Sequence, residues 1–326
     1  MKNTECIIII PNYNGVKIKY LGKPVIKVCL DSIINKSIYK NYKIIVTDDQ
    51  STDESFQYLN SNYKHIDILQ NNKNLGYEKN VNKAIRYALK KYKFKYLILL
   101  NSDTIITDRY WINKLVALAA SQEDIGLIGC KLVYPNGKIQ KAVIRFKNRF
   151  SLKNFNTGDA PNKKYNSICE AEVIEAAMHF IKRETIEKVG LLDENLVNGY
   201  DDEDYCLRVK ENGLKVIYDG KLSIIHLQNF TLSKIKNSKE IEDRLYANMR
   251  NRFYFIRKHR NKMTFIQFVG WHLVYILNNF LVLKVDKNKA VSLKSLRFKS
   301  HPFTDFLMPL RALFDARKLI HSNNPA

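Results

Sequence analysis

Apolar and polar positions alternate in blocks along the first half of the chain. Cys6 to Ile10 is an unbroken apolar run, the pattern of a strand buried on both faces. Residues 24–34 repeat apolar positions at helical spacing behind Pro24, which suits a helix start. Tyr42 to Val46 reads as a second strand. Thr52 to Asn60 reads as a helix capped by Ser51 or Thr52, and Ile66 to Leu69 as a third strand. Tyr77 to Lys91 predicts a longer helix and Tyr96 to Leu100 a fourth strand. Such alternation predicts an α/β protein with a mainly parallel central sheet flanked by helices. Ligands of such sheets bind beyond the carboxyl ends of the strands. Polar turns fall at those ends: Asn12-Tyr13-Asn14-Gly15, Asp48-Asp49-Gln50-Ser51 and Asn101-Ser102-Asp103.

The pattern loosens from Gly126 onward. Tyr134-Pro135-Asn136-Gly137 predicts a hairpin or loop connection, and residues 147–167 have the Asn- and Lys-rich composition of a loop. A short helix is expected over 184–189. Then comes Tyr200-Asp201-Asp202-Glu203-Asp204-Tyr205-Cys206-Leu207-Arg208, with four carboxylates at the start of a helix that ends near Gly213. Strands are expected around 215–218 and 224–226. Thr264 to Leu283 is almost continuously apolar, close to the ~20 residues that span a bilayer. Gln267, His272, Asn278 and Asn279 interrupt it, which favours a helix lying among lipid headgroups over a true span. An ordinary buried or dimer-forming helix is the competing reading. Residues 303–320 read as a second amphipathic helix. These shifts divide the chain into a domain over 1–240, with halves 1–125 and 126–240, and a basic helical extension over 241–326.

Charge adds a question about partners. The 326 residues hold 54 Lys and Arg against 32 Asp and Glu, a net charge of +22. An anionic membrane surface or an anionic substrate fits that excess. Nucleic acid fits less well, because no zinc-finger spacing, basic recognition helix or RNP-like aromatic strand is present. The five cysteines form no Cys-x-x-Cys pair and read as free thiols. The apolar run after the N-terminus is too short for a signal sequence. The expected location is therefore the cytoplasm, peripheral on the inner face of the cell membrane.

The acidic run has two readings: acids favoured by a helix dipole, or a carboxylate placed to take a proton from a hydroxyl. Asp204 and Arg208 have the spacing of a helix-surface pair, and Glu203 reads as solvated. A shift of one step to Asp204 as the base stays open. The carboxylate of Asp103, after a strand, suits a hard cation or a simple turn.

Taken in order, Ile10-Pro11-Asn12-Tyr13-Asn14, Val46-Thr47-Asp48-Asp49-Gln50-Ser51-Thr52-Asp53, Asn74-Leu75-Gly76-Tyr77, Leu99-Leu100-Asn101-Ser102-Asp103 and Tyr200-Asp201-Asp202-Glu203-Asp204 resemble the family 2 glycosyltransferases of the GT-A fold, in their bacterial rhamnosyltransferase-like branch. The resemblance runs from Cys6 to about Phe230. It implies inverting transfer of a sugar from a nucleotide-sugar donor (dTDP-rhamnose or a UDP-sugar) to a hydroxyl of a glycan or lipid-linked acceptor in surface polysaccharide synthesis. It further implies Asp202 as catalytic base, Asp201 on the acceptor, and Asp103 with His226 on Mg²⁺ or Mn²⁺. Pro11, Asn12, Tyr13, Asp48, Gly76, Asn82, Asn101 and Ser102 are implied to line the donor site. Asn101 replaces the first Asp of the usual Asp-x-Asp, which weakens the set as a metal site. The alternative is an inactive GT-A scaffold or membrane-docking subunit. Oligomers through the C-terminal helices are a further expectation.

Overall fold

The structure is a computed structural model that describes residues 1–142, 144–148, 151–154, 159–160, 162–197, 199–227, 238–259 and 270, together with 311, 312, 314–316 and 319. The expected apolar helix over 264–283 and most of that over 303–320 lie outside the described residues. By internal contacts the chain divides into two units, residues 1–197 with 201–236, and residues 198–200 with 237–326.

Ten strands of the first unit form one sheet. In chain order they are β1 (Cys6–Asn12), β2 (Tyr42–Asp48), β3 (Asp67–Gln70), β4 (Tyr96–Leu100), β5 (Thr104–Ile105), β6 (Ile125–Val133), β7 (Ile139–Lys141), β8 (Ile168–Glu170), β9 (Met178–Lys182) and β10 (Lys215–His226). The sheet order is β8-β10-β6-β9-β4-β1-β2-β3, with β7 added to β6 and β5 to β10. The run β4-β1-β2-β3 is parallel, as the blocks of apolar residues predict. Strand β9 enters antiparallel between β4 and β6, so the completed sheet is mixed.

Burial follows the pleat. Ile8 and Ile10 of β1 pack with Ile26, Leu30 and Ile33 of α1 (Val25–Lys36), and with Trp111 and Leu115 of a later helix, Trp111–Ala120. Ile7 and Ile9 face the other core, with Val81, Ala84 and Ile85 of the helix Tyr77–Lys91 and Tyr205 and Val209 of the helix Asp201–Glu211. Numbered in order, the helices are α1, α2 (Ser55–Asn62), α3 (Tyr77–Lys91), α4 (Trp111–Ala120), α5 (Arg183–Val189), α6 (Asp201–Glu211) and α7 (Ser238–His259). Residues Ile7 to Ile10 are 0% exposed, and each such side chain contributes roughly 1.5–3 kcal/mol by leaving water.

Two expectations change. Helix α2 starts at Ser55 behind Glu54 with no side-chain cap; Ser51 and Thr52 lie upstream in the loop. Ser51 is drawn away because its hydroxyl donates to Asp48 Oδ2 at 2.6 Å. The segments around 215–218 and 224–226 are one strand, not two. Against β6, Cys130 pairs with Asp219 but Lys131 with Ser223, so β10 carries extra residues at Gly220–Leu222. That bulge bends the strand and lets its end pair with β5. The Tyr134–Gly137 hairpin forms as expected, with Gly137 N–H donating to Tyr134 O at 2.9 Å. The second unit contains α7. There Asn251 Nδ2 donates to Gly199 O at 2.9 Å, and the rings of Tyr200 and Phe255 lie 5.3 Å apart. Among the described residues no helix is long and apolar enough to cross a membrane.

A Cβ on Gly220 would lie 2.1 Å from Tyr165 O and 2.6 Å from Ser167 O, both backbone atoms. Gly220→Ala is therefore expected to lower unfolding stability by about 2 kcal/mol or more, read by urea denaturation. An unchanged midpoint would show that the bulge tolerates a side chain.

Candidate active site

The parallel register of β1 and β2 sets Asn12 beside Asp48. Asp48 is 0% exposed; its Oδ2 accepts from Asn12 Nδ2 at 2.8 Å and from the Ser51 hydroxyl, and its Oδ1 accepts from Ser51 N–H at 2.9 Å. Its neighbour Asp49 turns the other way. It accepts from Asn71 Nδ2 at 2.7 Å, Leu75 N–H at 2.8 Å and Gly76 N–H at 2.9 Å. The two aspartates thus tie three loops together. Gly76 has φ +82°, and a Cβ there would find no atom closer than 3.9 Å. Its backbone conformation, not close approach, requires glycine. Asn82 is fully buried and its amide clamps Leu192 and Glu194, at 2.9–3.0 Å. It positions that loop. Tyr13 is 45% exposed and Pro11 half-buried, so the aromatic face is open.

At the end of β4, Asn101 N–H donates to Ala177 O at 3.1 Å, while Asn101 O accepts from the Thr104 hydroxyl at 2.7 Å. This turn carries Ser102, half-buried, and Asp103. Pairing of Thr104 with His226, and of Leu227 N–H with Asp103 O at 2.9 Å, brings the tip of β10 onto the turn. His226 Nε2 consequently lies 3.2 Å from Asp103 Oδ1. Among the described residues no three His, Cys, Asp or Glu side chains converge as a metal site. Asp103 and His226 offer one carboxylate and one imidazole, a donor pair that suits a divalent cation whose other ligands come from diphosphate and water.

The acidic run opens α6, as expected, but burial decides its chemistry. Burial raises the Asp201 carboxyl to about 6 and holds that of Asp202 well above the usual carboxylate range; the charges of Asp204 and Glu175 add to the first, and those of Asp201, Glu203 and Glu175 to the second. A helix N-terminus opposes this by about 0.3–1 kcal/mol, less than one pH unit, and loses. Asp202 Oδ2 accepts Ala176 N–H at 3.0 Å. Because β9 runs antiparallel to β4, Ala176 and Ala177 sit beside Asn101, and this anchors Asp202 next to the Asp103 turn. Glu203 is not solvated; it is half-buried and pushed up to about 7 by burial. Asp204 and Arg208 do not form a surface pair. Asp204 is 0% exposed, Arg208 Nε donates to its Oδ2 at 2.8 Å, and the Arg208 amino groups donate to Val189 O and Leu191 O. Locked this way, Asp204 has no free face for a base.

Sequence reading left three contributors without a role. Tyr77 stands in the Asn74–Tyr77 motif. Its hydroxyl is buried without a hydrogen-bond partner, and its acidity is lowered by burial and then by the charges of Asp201, Asp202, Glu78 and Asp103. His179, buried and pushed down to about 4 by burial, contacts Ile174 O at 3.2 Å, under the loop that holds Asp202. Gln140, fully buried on β7, touches His226. The only hint in the sequence was a polar residue inside a short strand.

The sequence profile of Glycosyl transferase family 2 matches residues 7–177, just over half the chain. The chain belongs to this family. It is 23% identical over 275 residues to the dTDP-rhamnosyl transferase RfbF of Shigella flexneri, covering 81% of this chain and 87% of that protein. It is 24% identical over 214 residues to the O-antigen biosynthesis protein RfbC of Myxococcus xanthus, covering 62% of this chain and 16% of that one. The chain thus spans a quarter or less of the length of the first curated relatives that it matches. In fold it resembles the mannosyltransferase PcManGT of Pyrobaculum calidifontis, solved with GDP-Man and Mn²⁺, with a TM-score of 0.54 at 13% identity over 97% of this chain and 86% of that one. The family's GT-A architecture accounts for the curled mixed sheet.

Two measurements check the electrostatics. A carboxyl with a raised folded-state pKa keeps its proton after the unfolded chain has lost it, so its contribution to stability falls as pH rises through the folded value. Asp202→Asn should therefore gain stability relative to the wild type as pH rises above the ordinary carboxylate range, read as the pH dependence of the Tm difference. A constant difference would mean the cluster is not proton-loaded. Tyr77→Phe removes an unpartnered buried hydroxyl and should raise the stability of the ligand-free protein by about 1 kcal/mol while lowering donor affinity.

Proposed function

We propose that this family 2 domain transfers a sugar from a nucleotide-sugar donor to an acceptor hydroxyl with inversion, in the synthesis of a surface glycan. The observation that carries the reading is the anchorage of Asp202: its Oδ2 accepts Ala176 N–H at 3.0 Å, and the carbonyl of the next residue, Ala177, accepts Asn101 N–H at 3.1 Å at the root of the Asp103 turn. A proton acceptor close to a cation-binding carboxylate is what displacement of a diphosphate by an alcohol requires.

Asp202 is the base. Held through Oδ2 by Ala176 N–H, it keeps Oδ1 for the acceptor's proton, and its raised proton affinity suits that task near neutral pH. Asp201 orients the acceptor hydroxyl. Asp103 and His226 would hold Mg²⁺ or Mn²⁺ with the donor's diphosphate. The cation supplies electrostatic stabilisation of the leaving diphosphate. Tyr77 offers its hydroxyl to a sugar or phosphate oxygen. At the nucleoside end, buried Asp48 holds Asn12 and Ser51 in place, and Tyr13 presents an open ring for stacking. The name of the RfbF relative favours dTDP-rhamnose among donors, with UDP-sugars next; the acceptor is a glycan or lipid-linked saccharide. The net charge of +22 supports docking on an anionic membrane surface at the cytoplasmic face.

Thermal shift of the full chain against dTDP-rhamnose, UDP-sugars and GDP-mannose, each with and without Mn²⁺, tests the donor reading. At least one should raise Tm, and more so with Mn²⁺, since saturation at 100 times Kd is worth about 2.7 kcal/mol. Asp202→Asn should keep this shift and lose transfer by roughly 10²-fold or more. Transfer at the wild-type rate would remove Asp202 as the base.

A further inference from the structure

The carboxamide of Gln140 touches His226 twice. Its Nε2–H donates to the His226 backbone oxygen at 3.0 Å, and its Oε1 lies 2.7 Å from His226 Nδ1. The order of these contacts is not free. A backbone carbonyl has no proton to give, so turning the amide over would set two oxygens face to face. Oε1 therefore faces Nδ1, and because Oε1 only accepts, Nδ1 carries the proton. A neutral imidazole has one such proton. Nε2 is then left with a lone pair, aimed at Asp103 Oδ1 across 3.2 Å. Two lone pairs that close repel each other unless a second ring proton or a metal cation joins them.

We propose that Gln140 is a positioning residue that fixes His226 as the Nδ1–H tautomer and so commits Nε2, with Asp103, to a divalent cation. The inference rests on the metal reading above and adds a residue to it. Strand register supplies the geometry. Strand β7 pairs with the same β6 that pairs with the end of β10, at Leu132 with Lys141 and at Val133 with Ile225. Gln140 is 0% exposed, so water does not compete for Nδ1. The opposite neutral tautomer, with the proton on Nε2 and none on Nδ1, would break the bond to the His226 carbonyl and bury two opposed oxygens, or else set two lone pairs face to face at Nδ1 and Oε1. An outer group of this kind typically changes metal affinity 10–100-fold.

Nitrogen-15 NMR of histidine-labelled, metal-free wild type at pH about 9, where imidazole is neutral, reads the tautomer directly. The His226 signal, assigned by its loss in His226→Gln, is expected as Nδ1–H; an Nε2–H spectrum overturns the role of Gln140. Gln140→Met, of similar volume, should mix the tautomers and weaken binding of Mn²⁺ alone 10–100-fold by EPR titration. Unchanged Mn²⁺ affinity overturns the proposal as well. Asp103→Asn should weaken Mn²⁺ binding yet keep the Nδ1–H tautomer, which a general loosening of the site would not do. A wild type without Mn²⁺ affinity overturns the metal reading itself, whatever tautomer it shows. If Gln140→Met does not fold, the wild-type spectrum decides.

Discussion

Negative charge held away from water at one edge of the sheet is the constraint on which the site depends. Asp201, Asp202 and Glu203 all bind protons more tightly than free carboxyls, with burial as the largest cause. The chain as a whole carries +22, yet the cations named beside this cluster are few: Lys141 pairs with Glu175 at 3.0 Å, and Arg208 is committed to Asp204. A fold that merely needed stability would not arrange charges this way, since an unpaired buried carboxylate costs several kcal/mol. Functional sites commonly carry such costs.

The neighbouring aspartates of β2 show the opposite use of the same residue type. Asp48 and Asp49 are 0% and 5% exposed, more enclosed than the half-buried Asp201, Asp202 and Glu203, but are surrounded by donors, three for each carboxylate. Asp48, the last residue of the strand, meets Asn12 and Ser51, and Asp49, in the loop just beyond it, meets Asn71 and Gly76. Together they fix the loops that follow β1, β2 and β3 relative to each other. A nucleotide binding there meets a surface already ordered, which lowers the entropic cost of binding.

How much of this was legible depends on how local the signal was. The strand Tyr96–Leu100 and the helix Tyr77–Lys91 are found at the bounds read from the sequence, because dense apolar spacing and flanking polar turns are local. The antiparallel entry of β9 was not legible; nothing within Met178–Lys182 states its partner's direction. The bulge at Gly220–Leu222 hid the continuity of β10, since its polar and glycine residues look like a turn. Asp204 and Glu203 were misjudged for one reason. Spacing says which residues can meet along a helix, but not which face another element covers. Arg208 reaches Asp204 and the 189–191 carbonyls at once, a closure visible only in three dimensions.

The late crossing of β10 joins these points. Its first part completes the sheet against β6, and its last residues leave that line to pair with β5. A straight strand would serve packing equally well but would leave His226 remote from Asp103. The bend costs regular ladder bonds and requires a glycine under two backbone carbonyls. What it gains is the placement of one imidazole against one carboxylate, with a buried carboxamide behind it. Under the proposed metal reading, Asn101 adds no carboxylate to the turn, and the second protein donor would come from His226, elsewhere in the chain. The distant sequence positions of Asp103, Gln140 and His226 are thus a single unit, and the bulge is the device that assembles it.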